Sequence, residues 1–289
     1  MIRSDLRRPA ARAFYPGDCR RELVAFTSGF EPSAELTGPL AGAILPHGGW
    51  MYSGRVAART LASLAAHSQP VTVVIFGSVH VPLGANALYP AGRWETPLGD
   101  LEVDAEAGQA ILRRAGDYLR PDSEGHRYEH SLEVLTPMVK YFFPAAAIVP
   151  IMVLPDNNAL GLGRAAGEAL GELDRPVVLL ASSDLTHYGA EYGLLSAGTG
   201  DPAERWMQAN DRRMIEILCS GSGTEVLAEA SRHMNACGPG ALAALKEALR
   251  VMDRQHGQLV EYATSHDIEP DALFQRAVGY AGIVFGPGD

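Results

Sequence analysis

Six side chains in this sequence have types and spacings that could share one reaction. His47 closes an apolar run in LPHGGW, His80 closes another in FGSVH, and His187 follows a third in SSDLTHYG. In an open α/β sheet the carboxyl ends of the strands line the ligand crevice, so imidazoles sent to that edge can meet in one pocket. Gly48-Gly49 would let the backbone turn sharply beside a ligand. Asp184 precedes His187 in the same motif. It could orient that ring, act as a carboxylate in its own right, or cap a helix after Ser182-Ser183. His130, in YEHSLEV, stands at a helix start with Glu129 beside it. Cys237, in NACGPGAL, precedes a Gly-Pro helix start, where the helix dipole favours a thiolate. Thiolate and neutral imidazole are transition-metal ligands, and imidazole also moves protons near neutral pH. Each residue alone has an ordinary reading, since most free cysteines are small buried hydrophobes. Only their convergence points to a site. His67, His126, His233, His256 and His266 lie in no comparable setting and read as surface or packing residues.

The elements that must position these residues alternate between strand and helix. Strands are expected at Ala41–Pro46, Val71–Gly77, Ala146–Val153 and Val177–Ala181, with terminal strands at Gln258–Thr264 and Val278–Phe285. Pro150 inside the third run suggests a bulge or a sheet edge. Helices are expected from about Ser53 to His67 and over Asp104–Tyr118, His130–Phe143, Asn157–Leu173, Pro202–Cys219 and Pro239–Asp253. Ala85–Val103 carries turn signals and reads as a β-hairpin excursion. The pattern predicts a single α/β domain over 1–289, with a mostly parallel or mixed central sheet and helices on both faces.

Composition narrows the function classes. The chain has 289 residues, 47% hydrophobic and 20% charged, which suits a folded globular protein. Lys and Arg number 24 against 34 Asp and Glu, a net charge of −10. So acidic a chain is a poor partner for nucleic acid or an anionic membrane. The basic pairs Arg7-Arg8, Arg20-Arg21, Arg113-Arg114 and Arg212-Arg213 read as solvated helix faces. No run reaches the ~18 apolar residues of a membrane span, and the N-terminus lacks the apolar core of a signal peptide. A cytoplasmic protein is expected. Cys19, Cys219 and Cys237 form no CxxC, so a disulfide framework is not expected. Cys19 and Cys219 lie on helical segments and read as structural.

Taken in order, RRPAARAFYP, LPHGGWMYSG, FGSVHVPLG, TPLGD, EHSLEV, VPIMV, SSDLTHYG and ACGPGAL resemble the Memo family, whose prokaryotic members are called AmmeMemoRadiSam system protein B. The resemblance runs from about Arg7 to Phe285. It implies a fold similar to the class III extradiol ring-cleaving dioxygenases of the LigB type, in which two His and one Glu bind Fe(II). It implies metal ligands His47, His80 and Cys237, with the cysteine in place of the glutamate. It implies a pocket role for His130, an acid–base role for His187, and Asp184 as the neighbour of His187. Gly49 and the GSVH sequence depart in detail from common family patterns, and neither removes a ligand.

Ring cleavage does not follow from the fold, because fold does not fix function. Exchanging carboxylate for thiolate favours softer or borderline ions and places an oxidisable group beside the metal. The first expectation is a mononuclear metal-dependent oxidoreductase with Fe(II), Cu or Zn being alternatives. A second is a metal-handling or partner-binding protein without turnover, acting with AMMECR1-like and radical SAM proteins. A third makes Cys237 a nucleophile with His187 as its base.

Overall fold

The computed structural model describes residues 6–287. Four parallel strands form the centre of a nine-stranded sheet: β1 (Gly42–Leu45), β2 (Thr72–Gly77), β3 (Ala147–Met152) and β4 (Val177–Ser182). Across the sheet they stand in the order β1, β4, β2, β3. On the far side of β1 lie two antiparallel strands, β5 (His256–Thr264) and β6 (Ala277–Gly286), β6 being next to β1. The two-residue strand His187–Tyr188 pairs with the start of β6.

Successive strand residues point to opposite faces. Ile44, Val74, Phe76, Val149, Leu179 and Ala181 therefore pack on one face, and Ala43, Leu45, Val73, Ile75, Ile148 and Leu180 on the other. The second face is covered by α1 (Trp50–His67) and by the helix Cys19–Thr27. The first is covered by α2 (Ala105–Ala115), α3 (Asn158–Gly171), α4 (Asp201–Ser220), α5 (Gly223–His233) and α6 (Pro239–Val251). The architecture is the mixed α/β sheet, flanked by helices, that the sequence pattern predicts. No helix among the described residues is long and apolar enough to cross a membrane.

Four expectations change. Pro150 makes no bulge, since β3 keeps an unbroken register with β2 from Thr72 to Gly77. Its carbonyl accepts from Tyr89 N at 3.0 Å. Its missing N–H therefore faces the other flank of β3, where the pairing strand is only Ala87–Leu88. The expected helix over His130–Phe143 is two pieces, His130–Glu133 and Thr136–Phe142. Pro137 has no N–H for the carbonyl of Glu133, and Thr136 Oγ1 donates to that carbonyl instead, at 2.8 Å. Helix α5 was not foreseen, although Ser222 and Glu225 form a reciprocal capping box at its start. Finally, Arg7 is not on a solvated helix face. It is buried, donates to Glu133 at 2.8 Å and lies 4.1 Å over the ring of Trp94.

Candidate metal centre

Because β4 lies between β1 and β2, the loops after these three strands are spatial neighbours. They carry His47, Asp184 and His80 to one edge of the sheet. The turn into α6 brings Cys237 to the same place. That approach requires glycine at 238, where a Cβ would stand 2.0 Å from Ser78 Oγ and 2.8 Å from the Ser182 carbonyl. The outcome is that ligand atoms of His47, His80 and Cys237 lie within 4.8 Å of one another. His130 joins the group: its ring centroid is 4.4 Å from that of His80 and 5.5 Å from that of His47.

Hydrogen bonds fix the way both imidazoles face. Ser182 Oγ donates its only hydrogen to the Ser131 carbonyl at 2.7 Å. Toward His47 Nδ1, 2.8 Å away, it can act only as acceptor. His47 therefore carries its proton on Nδ1 and presents a bare Nε2, which stands 3.4 Å from Cys237 Sγ. His80 Nδ1 lies 3.0 Å from Glu129 Oε1. Glu129 also accepts from the backbone N–H groups of His80 at 2.6 Å and Ser131 at 2.9 Å. Burial alone would raise its pKa. The bonds from the His80 side chain and backbone and from Ser131 prevail and hold it down to about 2. An ionised Glu129 keeps the proton on His80 Nδ1 and leaves Nε2 free. A carboxylate behind a ligating histidine is the usual arrangement at metal sites.

Burial, with the neighbouring His80 and His130, lowers His47 to about 4, so its imidazole is neutral at physiological pH. His130 is lowered for the same reasons. The thiol of Cys237 reverses the sequence expectation. Although the residue is partly exposed, its sulfur is enclosed by Ser78, Ser183, His47 and the Asp184 N–H, the last at 3.2 Å. Burial and the nearby Asp184 push the thiol up to about 12, overriding any gain from the following helix.

The donor set fits a transition metal. Metal–nitrogen bonds of ~2.0 Å and metal–sulfur bonds of ~2.3 Å at a tetrahedral angle put the two ligand atoms ~3.5 Å apart. The 3.4 Å between His47 Nε2 and Cys237 Sγ matches that span.

Asp184 is not a helix cap. Its carboxylate accepts from the backbone N–H of His47 at 2.7 Å and of Gly48 at 3.1 Å, which pins the loop holding the first imidazole. His187 does not join the other rings. Its Nδ1 lies 3.1 Å from the Leu185 carbonyl and it makes an edge contact with Tyr192, centroids 5.1 Å apart.

Sequence reading passed over the holders of the site. Buried Glu133 accepts from Arg7 Nη1, Ala10 N, Ala11 N and Tyr15 Oη at 2.8–2.9 Å. These bonds anchor the N-terminal segment, and Phe14 within it stacks on His130 at 4.7 Å. The RRPAARAFYP motif was the available signal.

Residues 8–284 match the family described as Memo-like protein. The chain belongs to the Memo family. It is 37% identical over 254 residues to MEMO1 family protein MK0963 of Methanopyrus kandleri, covering 86% of this chain and 84% of that one. It is 34% identical over 294 residues to MEMO1 family protein PH1626 of Pyrococcus horikoshii, covering 95% and 97% of the two chains. Among solved structures, the uncharacterized protein JW3007 of Escherichia coli K12 matches with a TM-score of 0.54 at 16% identity, covering 83% of this Memo chain and 99% of that one. That likeness shows the fold alone.

Proposed function

We propose that this Memo protein binds one divalent transition metal through His47 Nε2, His80 Nε2 and Cys237 Sγ, and that it is an oxidoreductase of the non-haem iron type. The observation that carries the reading is the paired tautomer. Ser182 and Glu129 each hold a proton on Nδ1, so both Nε2 lone pairs are available beside one sulfur. Neutral imidazoles with a thiol suit Fe(II), and Cu or Zn are accepted by the same donors. Bound iron would supply sites for a substrate and for dioxygen. The chain itself supplies a desolvated floor, a neutral His130 beside the ligands, and His187 with a free Nε2 for proton transfer.

The test is elemental analysis of protein purified without added metal or tag, followed by anaerobic Fe(II) loading and oxygen-uptake assays against small phenols and thiols. One equivalent of metal in the wild type, lost in His47→Ala and Cys237→Ala, is expected. Retention of metal by the double variant would overturn the ligand assignment. Stoichiometric metal with no oxygen uptake, and recovery of AMMECR1-like and radical SAM proteins on co-purification, would instead favour the partner-binding reading. The nucleophile reading loses ground because the thiol is held high and its imidazole neighbour is His47, not His187.

A further inference from the structure

The loop that delivers Cys237, residues 234–238, is fastened differently at its two ends. Downstream, Cys237 N donates to the Asp184 carbonyl at 3.2 Å and Gly238 N to Ser183 Oγ at 3.0 Å. Upstream, the loop hangs on α4. Asn210 Nδ2 donates at 3.0 Å to the carbonyl of His233, the last residue of α5. Asn235 Nδ2 donates to the Asn210 carbonyl and to Glu229 Oε1, both at 2.9 Å. The other hydrogen of the Asn210 amide goes to Thr186 Oγ1 at 3.0 Å, two residues after Asp184. The amide oxygen accepts from Arg213. Asn210, Thr186 and Asn235 are all buried. One amide, with both hydrogens and its oxygen committed, thus ties the Asp184 loop to the Cys237 loop. Asn235 shows how firmly this end is set. Its Oδ1 is buried without a partner among the described residues, which is destabilising in itself, so the two donated bonds decide where the residue sits.

We propose that Asn210 is a positioning residue for the sulfur ligand. By holding the end of α5 and Thr186 to one side chain of α4, it keeps Cys237 Sγ at the 3.4 Å from His47 Nε2 that a shared ion requires. Asn210 acts through the two loops and not on the ion. Without its amide, the His233 carbonyl and Thr186 Oγ1 lose their donor and the upstream end of the Cys237 loop keeps only the bonds of Asn235. The sulfur then drifts from its enclosure. The consequence for metal binding rests on the metal reading above; the placement of the thiol does not.

The test uses the full chain, first without metal. Asn210→Ala is compared with Leu218→Ala, which opens a core cavity on the same helix and removes no bond of this network. Both should lower the melting temperature. Only Asn210→Ala should also speed alkylation of Cys237 by iodoacetamide, mapped by peptide mass, by about tenfold, with Leu218→Ala within about twofold of wild type. Cobalt(II) titration is the second arm. Asn210→Ala should bind cobalt about tenfold more weakly and lose sulfur-to-cobalt charge-transfer absorbance per bound ion, while Leu218→Ala should keep both. Asn235→Ala should move both readouts in the same direction, and it decides the matter if Asn210→Ala does not fold. Alkylation no faster in Asn210→Ala than in Leu218→Ala overturns the positioning role, whatever cobalt does. Wild type that takes up no cobalt overturns the metal reading, and the alkylation comparison still decides the role of Asn210.

Discussion

Ser182 Oγ lies 2.8 Å from His47 Nδ1 and gives its own hydrogen to Ser131, so one buried hydroxyl decides which nitrogen of His47 faces the sulfur of Cys237. Ser182→Ala removes that decision and frees the ring to turn or change tautomer. Metal affinity should fall about 10–100-fold, the usual effect of losing a bond behind a ligating histidine. Competition with a chromogenic chelator measures it, and affinity equal to wild type would show that packing alone orients His47.

Metal uptake should release a proton. With burial holding the Cys237 thiol near 12, the metal-free protein carries S–H at neutral pH and the bound form carries thiolate. The sign follows: protons compete with metal, so affinity rises with pH, about tenfold per unit for one displaced proton. Dye-reported proton release in dilute buffer gives the count. The same burial predicts slow alkylation of Cys237 by iodoacetamide at neutral pH, in metal-free as well as loaded protein.

Asp211 offers a pH effect on stability that is independent of metal. Burial raises it to about 6 despite bonds from Thr186 N at 2.9 Å and Tyr262 Oη at 2.7 Å. The folded state binds this proton more tightly than the unfolded chain, whose Asp titrates near ~3.9. Stability contributed by this group is present at low pH and lost as pH rises from about 4 to about 6, a difference of about 3 kcal/mol. Asp211→Asn should therefore be more stable than wild type at pH 7 by about 1–3 kcal/mol, the gain vanishing near pH 4. Urea unfolding at both pH values checks it; a variant less stable at pH 7 would mean that its hydrogen bonds outweigh its charge.

Arg7→Ala should be severe for a residue so near the chain start. It leaves the buried Glu133 carboxylate without its cation and the carbonyls of His126 and Glu129 without their donors. A loss of about 3–5 kcal/mol is expected. Arg12→Ala is the control: its pair with Glu95 is exposed and should matter by under ~1 kcal/mol. Thermal melts that rank the two alike would contradict this.

Gly238→Ala should damage the site more than Gly48→Ala. The new methyl at 238 would meet backbone as well as Ser78, so Cys237 must withdraw from the strand ends. Over-packing of this kind costs about 1–3 kcal/mol. At 48 the neighbour is one tyrosine ring. Metal content of purified variants separates the cases.

The parallel strands were legible because each is a short apolar run rich in Val, Ile and Leu, and the parallel sheet buries both faces. His47 and His80 were legible for a related reason: a histidine just past such a run must lie at the carboxyl edge. What was not legible depends on three-dimensional company. Glu129 and Ser182 matter through hydrogen bonds to His80, His47 and Ser131 that cross the sheet edge. The state of Cys237 was misjudged because a helix start is visible in sequence whereas the enclosure of its sulfur is not. His187 lies in the two-residue strand that follows β4, and its contacts with the Leu185 carbonyl and Tyr192 depend on that local turn rather than on any sequence period.

Phe14 on the face of His130 makes residues 7–15 a clasp on that imidazole, tied down by Glu133 through Arg7 and Tyr15. Removing the segment through Phe14 would strip the stacked ring from His130 and release Glu133 from the backbone N–H groups of Ala10 and Ala11.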